Sequence, residues 1–209
     1  SNLLKSLIKY KISKKFLKKD ILSLLNKNLS KEKNYNHLLR VALNKNIISI
    51  SLRKRLVPKL NFNLKLVNLK RNRPQFKNLK YKKILSYLSK MDNSKSDIGL
   101  VFKKKLHETG TSNLLFIRND KIYTPKKDYY EGITYKFFKS RVKKIFKEEI
   151  FVNELEKFDE ILLIGSGKGV TSVKTIKQIG WRRKKLKQYK VFSKYYNSAI
   201  NNCNSYKFK

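Results

Sequence analysis

Three short stretches gather the residue types that could do chemistry. Glu108-Thr109-Gly110-Thr111-Ser112-Asn113 sets a carboxylate beside small hydroxyl residues. Glu131-Gly132-Ile133-Thr134 places a glycine and a threonine at the opening of an apolar-periodic segment. Gly165-Ser166-Gly167-Lys168-Gly169 follows the apolar run Ile161 to Ile164. A glycine-rich turn lets backbone N–H groups approach an anion, because glycine removes the Cβ barrier and permits positive φ. A helix N-terminus offers free N–H groups and a favourable dipole for the same purpose. Taken singly, each stretch has a plainer reading. The spacing G-x-G-x-G is commonly a glycine-rich hairpin, and Glu108 alone reads as a surface carboxylate on a strand.

The composition bounds the partners. The chain has 209 residues, a formal net charge of +38 and 40% hydrophobic residues, so it can bury a core despite its charge. Lysine dominates the basic residues, with only nine arginines, while Asn, Ile, Tyr and Phe are abundant. That pattern suggests an AT-biased coding sequence more than a surface selected for Arg–phosphate geometry. Such a charge would attract any polyanion, but through counterion release and without sequence specificity. We therefore expect no specific nucleic-acid partner. The single cysteine, Cys203, excludes an intrachain disulfide. His37 and His107 are too few and too far apart for a metal site. No apolar run approaches the ~20 residues of a membrane span, and no leader is visible at the start; a leader lost from the N-terminus stays open. These features point to a reducing, cytoplasmic setting and no membrane partner.

The elements that must position the three stretches are legible in outline. Leu4, Leu7, Ile8, Ile12, Phe16, Ile21, Leu22, Leu24 and Leu25 recur at helical spacing. They predict two amphipathic helices broken near Ser13, the second N-capped by Asp20. Leu38 to Leu43 and Ile47 to Leu52 read as strands joined at Asn44-Lys45-Asn46. A strand is expected over Leu60 to Leu69 and a helix over Leu79 to Met91. Strands follow over Asp97 to Phe102 and Leu114 to Ile117, with a hairpin turn at Asn119-Asp120-Lys121. Ile133, Phe137, Phe138, Val142 and Ile145 predict one helix over 132–146. A short helical segment spans Asn153 to Phe158. The unbroken run Ile161 to Ile164 predicts a strand buried on both faces. Val170 to Ile176 reads as its successor, and Arg182 to Ile200 as a long basic helix.

Along the chain, Lys80 opens a predicted helix. Then come Glu108, Gly110 to Phe116, Thr124-Pro125, Gly132-Ile133-Thr134, Gly165-Ser166 and Val170-Thr171-Ser172-Val173. This ordered set resembles the fold-type IV pyridoxal-phosphate enzymes, the class-IV aminotransferase and aminodeoxychorismate lyase family. The match runs over roughly residues 38–200 and is strongest from Glu108 to Ile176. It implies an α+β, two-lobe fold. A small N-terminal lobe would occupy residues 1–55, and a larger β-rich cofactor lobe residues 56–209. The small lobe looks incomplete beside the family pattern, which opens with strands and an H-x-x-R segment. His37-Leu38-Leu39-Arg40 has those letters but follows the helices, so it is not equated with that segment.

The resemblance also implies roles. Lys80, in register after Arg71-Asn72-Arg73-Pro74, corresponds to the lysine that forms a Schiff base with pyridoxal 5′-phosphate. Lys77, Lys82 and Lys83 lie close enough to compete. Glu108 corresponds to the partner of the pyridine nitrogen. Gly132, Ile133 and Thr134, with Gly165 and Ser166, correspond to the phosphate turns. A homodimer is implied. Two reactions stay open. One is a lyase of folate biosynthesis that converts 4-amino-4-deoxychorismate to 4-aminobenzoate and pyruvate. The other is a branched-chain or D-amino acid transaminase. Gly167-Lys168-Gly169 stands where branched-chain transaminases carry a bulkier segment, which favours the lyase. Lys168 is either a cation for a substrate carboxylate or a solvated turn lysine. The rival from another class is a basic RNA-binding or ribosomal protein. Charge favours it, but five of the seven glycines fall in the proposed cofactor segments.

Overall fold

The protein is represented by a computed structural model, which describes residues 2–13, 15–30, 32–33 and 35–203. It divides into two compact units, Ser1–Arg55 with Cys203–Lys209, and Leu56–Asn202.

The first unit opens with helices α1 (Asn2–Lys9) and α2 (Leu17–Asn28), followed by strands β1 (His37–Leu43) and β2 (Ile48–Lys54). Asp20 falls within the first turn of α2, not at its N-cap, which is Phe16. There its charge complements the helix dipole. β1 and β2 pair antiparallel, and Asn44 Oδ1 accepts the N–H groups of Asn46 and Ile47, each at 2.8 Å. That side-chain turn explains why Asn44-Lys45-Asn46 reads as a break.

The second unit is a nine-stranded sheet. Its strands are β3 (Asn61–Asn68), β4 (Ser96–Phe102), β5 (Lys105–Thr109), β6 (Asn113–Arg118), β7 (Lys121–Pro125), β8 (Ile145–Glu148), β9 (Glu160–Gly165), β10 (Gly169–Ile176) and β11 (Trp181–Arg182). The order across the sheet is β5-β4-β3-β10-β9-β6-β7-β8, with β11 on β10. The sheet curls until its ends meet: Leu106 N–H donates to Ile150 O at 2.8 Å and Val152 N–H to Lys104 O at 2.9 Å. Closure leaves little open edge. Helices cover the outside: the short α3 (Lys82–Leu88) and α4 (Ile133–Lys139) and the longer α5 (Lys187–Asn201).

Strand alternation divides the core. Phe62, Leu106, Leu114, Phe116, Ile161, Leu163 and Val173 fill the enclosed side. Leu115, Leu162, Ile164 and Val170 face Tyr135 and Phe138 of α4 and Phe192 of α5. Ile84 and Leu88 of α3 pack on Val67, Ile98 and Leu100. β6 and β9 are therefore buried on both faces, as the unbroken apolar run of β9 predicts. No helix among the described residues is long and apolar enough to cross a membrane.

Two helix expectations are corrected. The segment 132–146 is helical only over Ile133–Lys139, and Ile145–Glu148 instead forms β8, parallel to β7. Ile145 and Phe146 satisfy either periodicity, and long-range pairing, with Phe146 against Tyr123 at 5.5 Å, decides between them. The C-terminal helix starts at Lys187, not Arg182, because Trp181 is buried and donates its Nε1–H to Phe158 O at 3.3 Å. The N-terminus of α5 is fixed by Glu160, whose carboxylate accepts the N–H groups of Gln188 and Tyr189, each at 2.9 Å.

Candidate active site

Glu108 reaches its position through a β-bulge. β4 and β5 pair Leu100 with Glu108 but Val101 with Leu106, so His107 is the extra residue. In regular alternation Leu106 and Glu108 would share the enclosed face. The bulge turns Glu108 to the opposite side, where its side chain is 4% exposed. Arg71, in the loop after β3, donates Nε–H to Glu108 Oε1 at 2.7 Å. Its Nη2 donates to the carbonyls of Thr109 and Gly110 at 3.3 and 3.1 Å. Tyr130 N–H approaches Oε2 at 3.4 Å. Burial pushes the Glu108 carboxyl above its ordinary range, while Arg71, Tyr130 N–H and Lys77 pull against that rise.

Asn113 links the next two segments. Its Oδ1 accepts Gly132 N–H at 3.0 Å, and its Nδ2 donates to Tyr130 O. A Cβ on Gly132 would stand 2.9 Å from Asn113 Oδ1, so glycine is required there for close approach. The Gly132 N–H is thus committed to Asn113. Thr134 is buried in the first turn of α4, whereas Ile133 is 73% exposed. Asn113 also pairs with Ile164, which brings Gly165 alongside.

The glycine turn is a three-residue hairpin loop between β9 and β10. Lys168 N–H donates to Gly165 O at 3.2 Å, and Gly169 has φ +67°. The plain hairpin reading and the anion-turn reading are therefore compatible: Ser166 lies exposed at the tip, next in the chain to Gly165, which abuts Ser112. Lys168 bends inward, with its ammonium 2.8 Å from Asp97 Oδ2.

The structure thus gathers Glu108, Gly132, Thr134, Gly165 and Ser166 along one border of the sheet. It does not bring Lys80 into direct contact with them. Lys80 is exposed just before α3, and among the described residues its ammonium makes no hydrogen bond or ion pair. Lys77 lies nearer, its Nζ 4.8 Å from the Tyr130 ring centroid. Sequence reasoning missed two residues here. Arg71 appeared only as part of a register marker, and Asn113 only as the last residue of the stretch opened by Glu108. The available signal was an arginine and a carboxylate, each flanking a turn.

Residues 1–176 match the family pattern described as amino-transferase class IV. The chain belongs to that family. No curated protein matches. Solved structures share the fold. A provisionally assigned branched-chain amino acid aminotransferase from Thermotoga maritima is 19% identical with a TM-score of 0.62, over 75% of this chain and 62% of its own. A provisionally assigned 4-amino-4-deoxychorismate lyase from Legionella pneumophila is also 19% identical with a TM-score of 0.61, over 72% and 60%. The PLP-form of a branched-chain amino acid aminotransferase from Thermobaculum terrenum is 16% identical with a TM-score of 0.68, over 95% and 76%. The chain therefore spans about three fifths of the length of the first two.

The donor set of this candidate site suits a ring-and-phosphate ligand. A buried carboxylate already held by a cation fits a protonated ring nitrogen. A glycine hairpin with an exposed serine at its tip fits a phosphate.

Proposed function

We propose that the protein is a pyridoxal-phosphate-dependent lyase converting 4-amino-4-deoxychorismate to 4-aminobenzoate and pyruvate. The buried Glu108–Arg71 pair, re-aimed by the bulge toward the Asn113–Gly132 junction, carries the pyridoxal-phosphate part of the reading. Pyridoxal phosphate, when bound, supplies the aldehyde and the electron-accepting ring. Glu108 would hold the ring nitrogen charged, with Arg71 keeping the carboxylate ionised. Thr134, Ile133 N–H, Gly165 and Ser166 would hold the phosphate, and Gly132 would let Asn113 set their spacing. Lys80 would carry the cofactor and take the proton from the substrate carbon bearing the amine. Loss of pyruvate then leaves an aromatic ring, which drives the reaction forward. The reading includes a homodimer.

Register supports Lys80 as the cofactor lysine, since it lies two residues before α3, ahead of the N-cap Tyr81. Proximity to Tyr130 and Glu108 supports Lys77 as a second reading. Borohydride reduction of the loaded protein, followed by peptide mapping, is expected to label Lys80. Label on Lys77 would transfer the role, and absence of label would overturn the enzyme reading.

The lyase choice rests on the turn. Gly167-Lys168-Gly169 stands where branched-chain transaminases of the family carry a bulkier segment, and that difference favours the lyase. Aminodeoxychorismate is expected to yield pyruvate and 4-aminobenzoate in equal amounts. Amino acids supplied alone should not convert the cofactor to its amine form. Rapid conversion with branched-chain or D-amino acids, and no 4-aminobenzoate, would instead make the protein a transaminase.

A further inference from the structure

One buried carboxylate ties two turns together. Asp97 Oδ2 accepts from Lys168 Nζ at 2.8 Å, Thr111 Oγ1 at 2.6 Å and Thr109 Oγ1 at 3.0 Å. Its Oδ1 accepts Ile98 N–H at 2.8 Å. The side chains of Lys168 and Asp97 are 8% and 0% exposed, and the ammonium also lies 4.7 Å from the Phe62 ring centroid. Such a pair is weak evidence for stability, because desolvating two charges offsets most of their attraction. Its geometry offers a different role. Asp97 belongs to β4, the two threonines shape the turn leading to Ser112 and Asn113, and Lys168 belongs to the β9–β10 hairpin tip. The same two turns touch directly: a Cβ on Gly165 would stand 3.1 Å from Ser112 Oγ and 3.4 Å from Thr111 O. An error in their register would displace Ser166 relative to Asn113.

We propose that Asp97 and Lys168 are positioning residues, which lock the Gly165-Ser166 turn against Ser112-Asn113 and so set the phosphate end of the cofactor site. The proposal rests on reading Gly165-Ser166 as a phosphate turn. It gives Lys168 work that does not require contact with a substrate carboxylate.

The test separates phosphate from ring. The apoprotein is titrated with pyridoxal phosphate and with pyridoxal, which has the same ring and aldehyde but no phosphate. The ratio of the two dissociation constants is read. Lys168→Met is expected to reduce that preference by about 10- to 10²-fold, the scale of losing a hydrogen bond to a charged group, with pyridoxal affinity unchanged. Lys168→Arg, which keeps the cation, should retain the preference. Asp97→Asn combined with Lys168→Met should cost no more than Lys168→Met alone, since the amide can still accept from Thr109 and Thr111 and removes the buried charge that Lys168→Met leaves unpaired. Equal weakening of both ligands in Lys168→Met would make the pair a fold support only and overturn the proposal, as would an unchanged ratio. If the unaltered protein fails to prefer the phosphorylated ligand, the phosphate-turn reading itself falls, and that result appears in the wild-type arm alone.

Discussion

Glu108→Gln is expected to take up pyridoxal phosphate normally and to turn over about 10²-fold more slowly or worse, the scale for a positioned electrostatic or proton-transfer group. The substitution keeps the shape and the contact with Arg71, whose Nε–H now donates at 2.7 Å to one carboxylate oxygen. It removes the negative charge. An amide cannot favour the protonated ring nitrogen, so the electron sink weakens while the groups holding the phosphate and the aldehyde are untouched. Cofactor content by absorbance and steady-state turnover are measured together. Near-normal turnover with an unaltered spectrum would place Glu108 outside the reacting group, and loss of the cofactor itself would make it a binding residue first.

Arg71→Met is expected to harm both stability and function, because it leaves Glu108 buried without its cation. Removing one partner of a buried pair costs on the order of 3 kcal/mol, and Arg71 is only 17% exposed, so solvent screens it little. The pH dependence follows from the direction of the Glu108 shift. Burial already raises that carboxyl above its ordinary value, and Arg71 opposes the rise. Without Arg71 the folded protein holds a proton that the unfolded chain has released, from the ordinary glutamate value of about 4.3 up to the raised folded value. Across that interval stability falls as pH rises. The deficit of Arg71→Met should therefore be largest at neutral pH and shrink on acidification toward the ordinary value. Urea denaturation at pH 7 and pH 5 measures it. A deficit independent of pH would mean that Arg71 acts through its bonds to the Thr109 and Gly110 carbonyls and not through the charge on Glu108. In the variant, Glu108 is also more protonated at neutral pH, so turnover should fall with it and recover partly at higher pH.

By itself the sequence determined the strongly periodic and strongly punctuated parts of this protein. The four-residue apolar run of β9, the alternation in β3 and the glycines at the hairpin each carry local physics that admits few alternatives. The order of Glu108, Gly132-Ile133-Thr134 and Gly165-Ser166 was legible as well, and so was the family. Tertiary structure decided what depended on distant partners. Glu108 faces Arg71 only because His107 bulges out of β5, and nothing local marks that bulge. The β4–β5 turn that precedes it places Lys103 and Lys104 at φ +49° and +60°, a conformation lysine seldom chooses, held by the closure of the sheet on Ile150 and Val152. Ile145 and Phe146 suit a helix or a strand, and β7 made them a strand. The start of α5 waits on Glu160 in an earlier strand. Lys168 reads as a solvated turn lysine until Asp97, 71 residues away along the chain, draws it inward. In each case local preference leaves states that differ by about 1 kcal/mol per residue, and a buried long-range bond or charge outweighs that difference.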